Sequence, residues 1–286
     1  ESLAGVCRAH NHAIGFCRCA PCCRRRGEQP PERPSRQAVA PAGRVERAQR
    51  ARRPAGVAGA GAVGGGRGVS ALRVLIGCES SGVMRRAFAA RGHDAWSCDL
   101  LPSEDGSNRH IRGDVRDHLG DGWGLLVVAH PPCTRLCNSG VRWLHEPPSG
   151  RTRDQMWAEL EDGVELFAAC WQAPVARVAV ENPVMHRHAR ERMPTDLPKP
   201  QIVQPWWFGE PFFKATGFYL RGLPPLAPTD RLTAPKAGTD AHKAWSAVHR
   251  ATPGPDRWRF RSRTFEGVAD ACADQWGGHA AREVAA

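Results

Sequence analysis

Short apolar runs that each end on a chemically useful residue recur along this chain, and their spacing admits few folds. Arg73-Val-Leu-Ile-Gly77 leads into Glu79-Ser80-Ser81-Gly82 and then into Val83-Met-Arg-Arg-Ala-Phe-Ala-Ala-Arg91. Apolar positions 83, 84, 87, 88 and 90 form a helical stripe, and Gly92 stops it. The next run, Asp94-Ala-Trp-Ser-Cys-Asp99, reads as a second strand, and Gly113-Asp114-Val115 brings a further acid. Leu125-Leu-Val-Val-Ala129 and Ala176-Arg-Val-Ala-Val180 are two more apolar runs. Between them, Asp154 to Trp171 carries a helical stripe at Met156, Leu160, Val164, Phe167 and Ala168. Strands alternating with helices predict an α/β fold, a Rossmann-like doubly wound sheet that collects ligands at the carboxyl edge of its strands.

Residues 1–70 stand apart from this pattern. They hold thirteen arginines, no lysine and four glutamates, so +9 of the formal +11 lies there and the rest is nearly neutral. Net charge is therefore weak support for a nucleic-acid partner, and a basic groove would have to come from local clustering. Rich in Arg, Ala, Gly and Pro, the segment is expected to be disordered; it reads as a basic arm or as upstream sequence translated in frame, with a start near Val69. A zinc knot from Cys7, His10, His12, Cys17, Cys19 and Cys22 lacks a second pair at finger spacing, so no metal is expected. An odd total of eleven cysteines without a secretory signal implies reduced thiols and a cytoplasmic protein. With no apolar stretch of about twenty residues, no membrane span is expected.

The strand ends carry the chemistry. Asp99 follows the glycine turn by about twenty residues, the placement of an acid that accepts from both ribose hydroxyls of a nucleotide. Asp114 is placed to accept from an exocyclic amine. After the Leu125 run come His130-Pro131-Pro132-Cys133, where two prolines hold the chain extended and aim a thiol over the crevice. After the Ala176 run come Glu181-Asn182-Pro183. A thiolate that adds to carbon 6 of a cytosine ring, with an acid engaging ring nitrogen 3, turns carbon 5 into a nucleophile, so this chemistry needs one Cys and one carboxyl. A partly buried Glu at a strand end can hold the raised pKa that an acid requires. Cys78, Cys98, Cys137, Cys170 and Cys272 lack such a setting and read as packing thiols.

These residues resemble, from about Arg73 to Trp276, the DNA (cytosine-5-)-methyltransferase family, particularly its small phage-borne members. The resemblance implies S-adenosyl-L-methionine as cofactor, held by Gly77, Cys78, Glu79, Ser80, Ser81 and Gly82 of the glycine loop, by Asp99 and Leu100, by Asp114 and Val115, and by Pro131. It implies Cys133, Glu181 and Asn182 as the catalytic set. It implies double-stranded DNA with a flipped cytosine as substrate, bound by a monomer at Pro132, Thr134, Arg135, Ser139, Lys214 and Arg231, in a bacterial or phage-infected cell and in the setting of restriction and modification. Residues 71–200 then form the catalytic core, 201–262 a reduced target-recognition region, and 263–286 a last helix returning to the cofactor pocket. Three departures stand out: Phe213-Lys214-Ala-Thr216 replaces the family's Gln-x-Arg-x-Arg, Thr134 replaces the Gln after the nucleophile, and the long recognition insert is missing. Arg142-Trp143, Arg151-Thr-Arg153, Trp206-Trp207-Phe208 and the stretch 256–263 combine bases with aromatics that could grip DNA instead. Two other functions stay open: the same chemistry on a free pyrimidine nucleotide, and a non-catalytic DNA-binding protein that keeps the fold.

Overall fold

The computed structural model describes residues 71–252, 254, 257–262 and 264–284; the expectations for residues 1–70, and for positions 256 and 263 of the basic stretch, lie outside them. Seven strands form one sheet, mostly parallel, in the order β3-β2-β1-β4-β5-β7-β6. They are β1 (Arg73–Gly77), β2 (Asp94–Asp99), β3 (His110–Arg112), β4 (Leu125–Val128), β5 (Val178–Glu181), β6 (Gln201–Val203) and β7 (Thr216–Arg221). The arrangement is a mixed α/β, Rossmann-like fold. Strand β7 runs antiparallel to both β5 and β6, a reversal that the repeating strand-helix pattern did not announce. Residues 201–221, the opening part of the expected reduced target-recognition region, supply β6 and β7 of this sheet.

Apolar residues run without a break along β4 because both faces of the sheet are covered. Val74, Ile76, Leu125, Val127, Ala129 and Ala179 point to one face, where they meet helix α1 (Val83–Ala90). Leu75, Leu126, Val128, Val178 and Val180 point to the other, where they meet helix α2 (Arg153–Trp171). By the same two-residue alternation, Glu181 follows Ala179 onto the α1 face. Helix α2 opens on a capping box, with Thr152 Oγ1 accepting the Gln155 N–H at 3.2 Å and Gln155 Oε1 accepting the Thr152 N–H at 3.0 Å. Its stripe is the expected one except that Ala168 is only half-buried and the chain buries Cys170 and Trp171. Ala90, expected on the stripe of α1, is exposed.

At the C-terminus, helix α3 (Glu266–Cys272), a π turn (Ala273–Gly277) and helix α4 (Gly278–Val284) return to α1. Trp276, fully buried, sets its ring edge on Phe218 with centroids 5.3 Å apart and donates its indole N–H to the Pro224 carbonyl at 2.9 Å. Among the described residues, no helix is long and apolar enough to cross a membrane.

Candidate active site

The glycine loop is built around Glu79 rather than around space for a phosphate. Glu79 is fully buried, and its carboxylate accepts the N–H groups of Met84 at 2.7 Å and Arg85 at 3.1 Å and lies 3.3 Å from Ser81 Oγ. A side chain of the protein thus occupies the anion position at the α1 N-terminus, where a dinucleotide fold would place pyrophosphate. Burial raises the Glu79 pKa, and the bonds from Met84, Arg85 and Ser81 oppose that rise. Gly82 enters the helix at φ +70°, and a Cβ there would meet Asp105 Oδ2 at 2.6 Å, so the turn accepts only glycine. Gly77 lies against Val115, Cys78 takes a positive φ of 55°, and Ser80 is half-buried with its carbonyl accepting the Glu104 N–H at 2.9 Å.

The two acids beyond the loop differ. Asp99, at the end of β2, is half-buried and accepts the Leu101 N–H at 2.8 Å; Leu100 beside it is also half-buried, and burial raises the Asp99 pKa. Asp114 is committed to its own turn: it accepts the Arg116 N–H at 2.9 Å and pairs with the Arg116 guanidinium at 3.0 Å, which holds its carboxyl below the usual range. An acid spoken for in this way is not the free acceptor expected for an exocyclic amine.

Strands β4 and β5 carry the reactive pair. Past β4, Ala129 donates to the Gly77 carbonyl at 2.9 Å, Pro131 is buried, Pro132 is exposed and Cys133 is partly open. The chain then makes a tight turn, with the Leu136 and Cys137 N–H groups on the Cys133 carbonyl at 2.9 and 3.0 Å. Backbone bonds zip this loop to the one that leaves β5: Asn138 N–H donates to the Val184 carbonyl at 3.3 Å and His186 N–H to the Leu136 carbonyl at 3.0 Å. The His186 ring adds Nε2 on the Arg135 carbonyl at 2.6 Å. Two segments far apart in sequence are therefore held as one rigid unit, which fixes the thiol relative to the carboxyl.

Glu181 is 7 % exposed and borders a pocket lined also by His130, Lys214, Thr264, Phe265 and Met84. Burial pushes its pKa up to about 7, with the Lys214 ammonium working against the rise. Lys214 answers in kind: burial lowers its pKa, opposed by Glu181 and then by Cys133. Asn182 is fully buried; its amide donates to the Pro183 carbonyl at 2.6 Å, while its Oδ1 is buried without a partner among the described residues. The His130 ring meets Thr264 Oγ1 at 2.7 Å, which ties the thiol-bearing segment to the entrance of α3, and burial brings its pKa down to about 3. Helix α3 thus closes on the pocket beside Glu181.

Cys133, Glu181, Asn182 and Lys214 are brought together; other expected contacts are not. Arg135 turns its guanidinium to Glu159 on α2 at 2.7 Å and is only 12 % exposed, so it does not present a charge to a phosphate. Arg151 shares the same carboxylate. Thr134 and Ser139 are exposed. Arg231 lies over the Trp206 and Trp207 rings at 5.4 and 4.7 Å, and Arg142 over Trp143 at 4.0 Å. Phe208 belongs to the core and is not part of an exposed aromatic surface. His130 and Thr264 were not singled out in the sequence, and Cys137, expected as a packing thiol, is buried one turn beyond Cys133.

Fold and site together define a Rossmann-like protein with a thiol and a buried carboxyl at neighbouring strand ends. No protein-family model matches the chain, and no curated protein matches it in sequence.

Proposed function

We propose that the protein transfers a methyl group from S-adenosyl-L-methionine to carbon 5 of cytosine in DNA, with Cys133 as nucleophile and Glu181 as acid. One observation carries the reading: a partly open thiol and a buried carboxyl with a pKa near 7 stand at the ends of adjacent parallel strands, with a buried lysine beside them. Perturbed groups of complementary role in one crevice mark a reactive site more often than a structural one.

The cofactor fits the residues on the other side of the crevice. Glu79 fills the helix N-terminus, so the turn offers no cradle for phosphate, and S-adenosyl-L-methionine carries none. Asp99 would accept from the ribose hydroxyls, and the backbone of Gly77 to Ser81 would border the methionine end. When bound there, the cofactor supplies an electrophilic methyl group.

The protein's own groups perform the rest. The Cys133 sulfur adds to carbon 6 of a flipped cytosine. Glu181, still protonated near neutral pH, donates to ring nitrogen 3 and draws electron density through the ring toward carbon 5. Lys214, facing Glu181, steadies the carboxylate left behind and offers a donor to the ring oxygen. Once carbon 5 carries the methyl group, ring nitrogen 3 returns its proton to Glu181, water takes the carbon 5 proton, and the electron pair of that C–H bond re-forms the ring double bond as Cys133 leaves as a thiolate.

Incubation of the protein with tritiated S-adenosyl-L-methionine and duplex DNA, single-stranded DNA or deoxycytidine monophosphate tests this. Label in duplex DNA is the expected result. Label in the nucleotide alone would redirect the chemistry to a free pyrimidine, and none anywhere would leave a binding protein with an idle thiol.

A further inference from the structure

The loop that leaves β2 has no core of its own. From Leu101 to Arg109 every residue is half-buried or exposed, so apolar packing does not hold this segment. Polar bonds do, and they run to the glycine turn. The Glu104 N–H donates to the Ser80 carbonyl at 2.9 Å, and Ser80 Oγ lies 3.4 Å from Glu104 Oε1. The start of the loop is fixed separately, by His110 Nε2 on the Leu101 carbonyl at 2.9 Å.

Asp105 is the centre of these bonds. Its Oδ2 accepts from the Arg85 guanidinium and, at 2.9 Å, from that of Arg86, both on α1. Its Oδ1 accepts the Ser103 hydroxyl at 2.6 Å and the Ser107 N–H at 3.2 Å. Arg86 also donates to the Ser81 carbonyl at 3.1 Å, which draws the glycine turn into the same network. The Arg85 side chain is only 8 % exposed, and its Nε is buried without a partner among the described residues. Taking such charges out of water offsets much of what their attraction returns, so the pair adds little net stability; it does fix where the loop sits.

The two elements joined in this way are those that border the cofactor in the proposed function: Asp99, which accepts the Leu101 N–H at 2.8 Å where the loop begins, and the backbone from Gly77 to Ser81. We propose that Asp105 is a positioning residue for the cofactor: it clamps the 101–107 loop onto the glycine turn and so sets the gap in which Asp99 meets the ribose hydroxyls. Asp105 itself touches no ligand and acts through Asp99 and the turn. A loop fixed before the ligand arrives does not have to be ordered by it, and affinity rises accordingly. The inference rests on the cofactor proposed above and adds what holds its ribose site in shape.

The full-length protein is titrated calorimetrically with S-adenosyl-L-homocysteine and with its 2′-deoxyribose counterpart, and amide hydrogen exchange across residues 101–107 is followed without ligand. Wild type should favour the ribose ligand. Asp105→Asn keeps an acceptor for the Ser107 N–H but loses the charge that holds both arginines. Its loop should exchange faster, its affinity for S-adenosyl-L-homocysteine should fall about tenfold, and its preference for the ribose ligand should shrink. Arg86→Gln leaves Arg85 paired and should move all three readouts in the same direction by less. Melting curves report whether each variant folds, and Arg86→Gln decides should Asp105→Asn fail to fold. Folded variants with wild-type loop exchange, or with faster exchange and an unaltered ribose preference, overturn the proposal alone. A wild-type protein that binds neither ligand removes the cofactor reading and this proposal with it.

Discussion

The two sides of the crevice treat charge in opposite ways. On the β1–β3 side two of the acids are bound by the chain itself: Glu79 caps α1 and Asp114 is held by Arg116. On the β4–β5 side, Glu181 and Lys214 are buried at the expense of their ordinary pKa values, and Asn182 Oδ1 has no partner among the described residues. A folded chain leaves few buried polar groups so poorly served, and where it does the cause is commonly functional. Under the proposed function, the first side would receive the cofactor and the second would carry the reaction. Substitutions should therefore register as stability or ligand affinity on one side and as rate on the other.

The largest effect should come from Cys133→Ala, which removes the bond-forming atom and should lower methyl transfer by roughly 10⁴- to 10⁶-fold, read as label incorporated into duplex DNA. Glu181→Gln comes next. It should slow transfer by roughly 10²- to 10⁴-fold and remove the fall in kcat/KM expected of wild type as pH rises through about 7. Stability supplies a second readout. The folded protein binds the Glu181 proton more tightly than the unfolded chain, whose ordinary pKa is 4.5, so the stability gained from that proton is complete below about 4.5 and is lost as pH rises through about 7. In Glu181→Gln, chemical denaturation should lose that slope.

Glu79→Ala sharpens the contrast from the other side. It strips two backbone N–H groups of their acceptor and should cost about 1–3 kcal/mol in a denaturant titration, with turnover of the protein that stays folded unchanged. Asp99→Asn should have the smallest effect, raising the KM for S-adenosyl-L-methionine about tenfold, near 1.4 kcal/mol, with kcat preserved. A loss of kcat in Asp99→Asn, or of cofactor affinity alone in Glu181→Gln, would break the division between the two sides.

Strands β1, β2, β4 and β5 and helices α1 and α2 were legible because their apolar periods are long enough to declare themselves. The short strands β3 and β6, of three residues each, carry too little pattern to be seen. Strand β7 was passed over because Thr216 to Arg221 was compared with an arginine-bearing motif, and nothing local marks a strand that runs antiparallel. The placement of 201–262 outside the core followed from that. Arg135 illustrates the same limit at the site: beside a proline-cysteine motif it reads as a contact to DNA, and only the packing of α2, 24 residues further on, reveals Glu159 as its partner.

Sequence alone determined that a thiol and a carboxyl stand at strand ends, because a period of two and a helical stripe are local properties that place chain ends on one edge of a parallel sheet. Tertiary structure decided how those groups behave. Burial beside Lys214 and the zipping of the two loops depend on residues distant in the chain. A proton's free energy is set by such surroundings, which no pattern along the chain encodes.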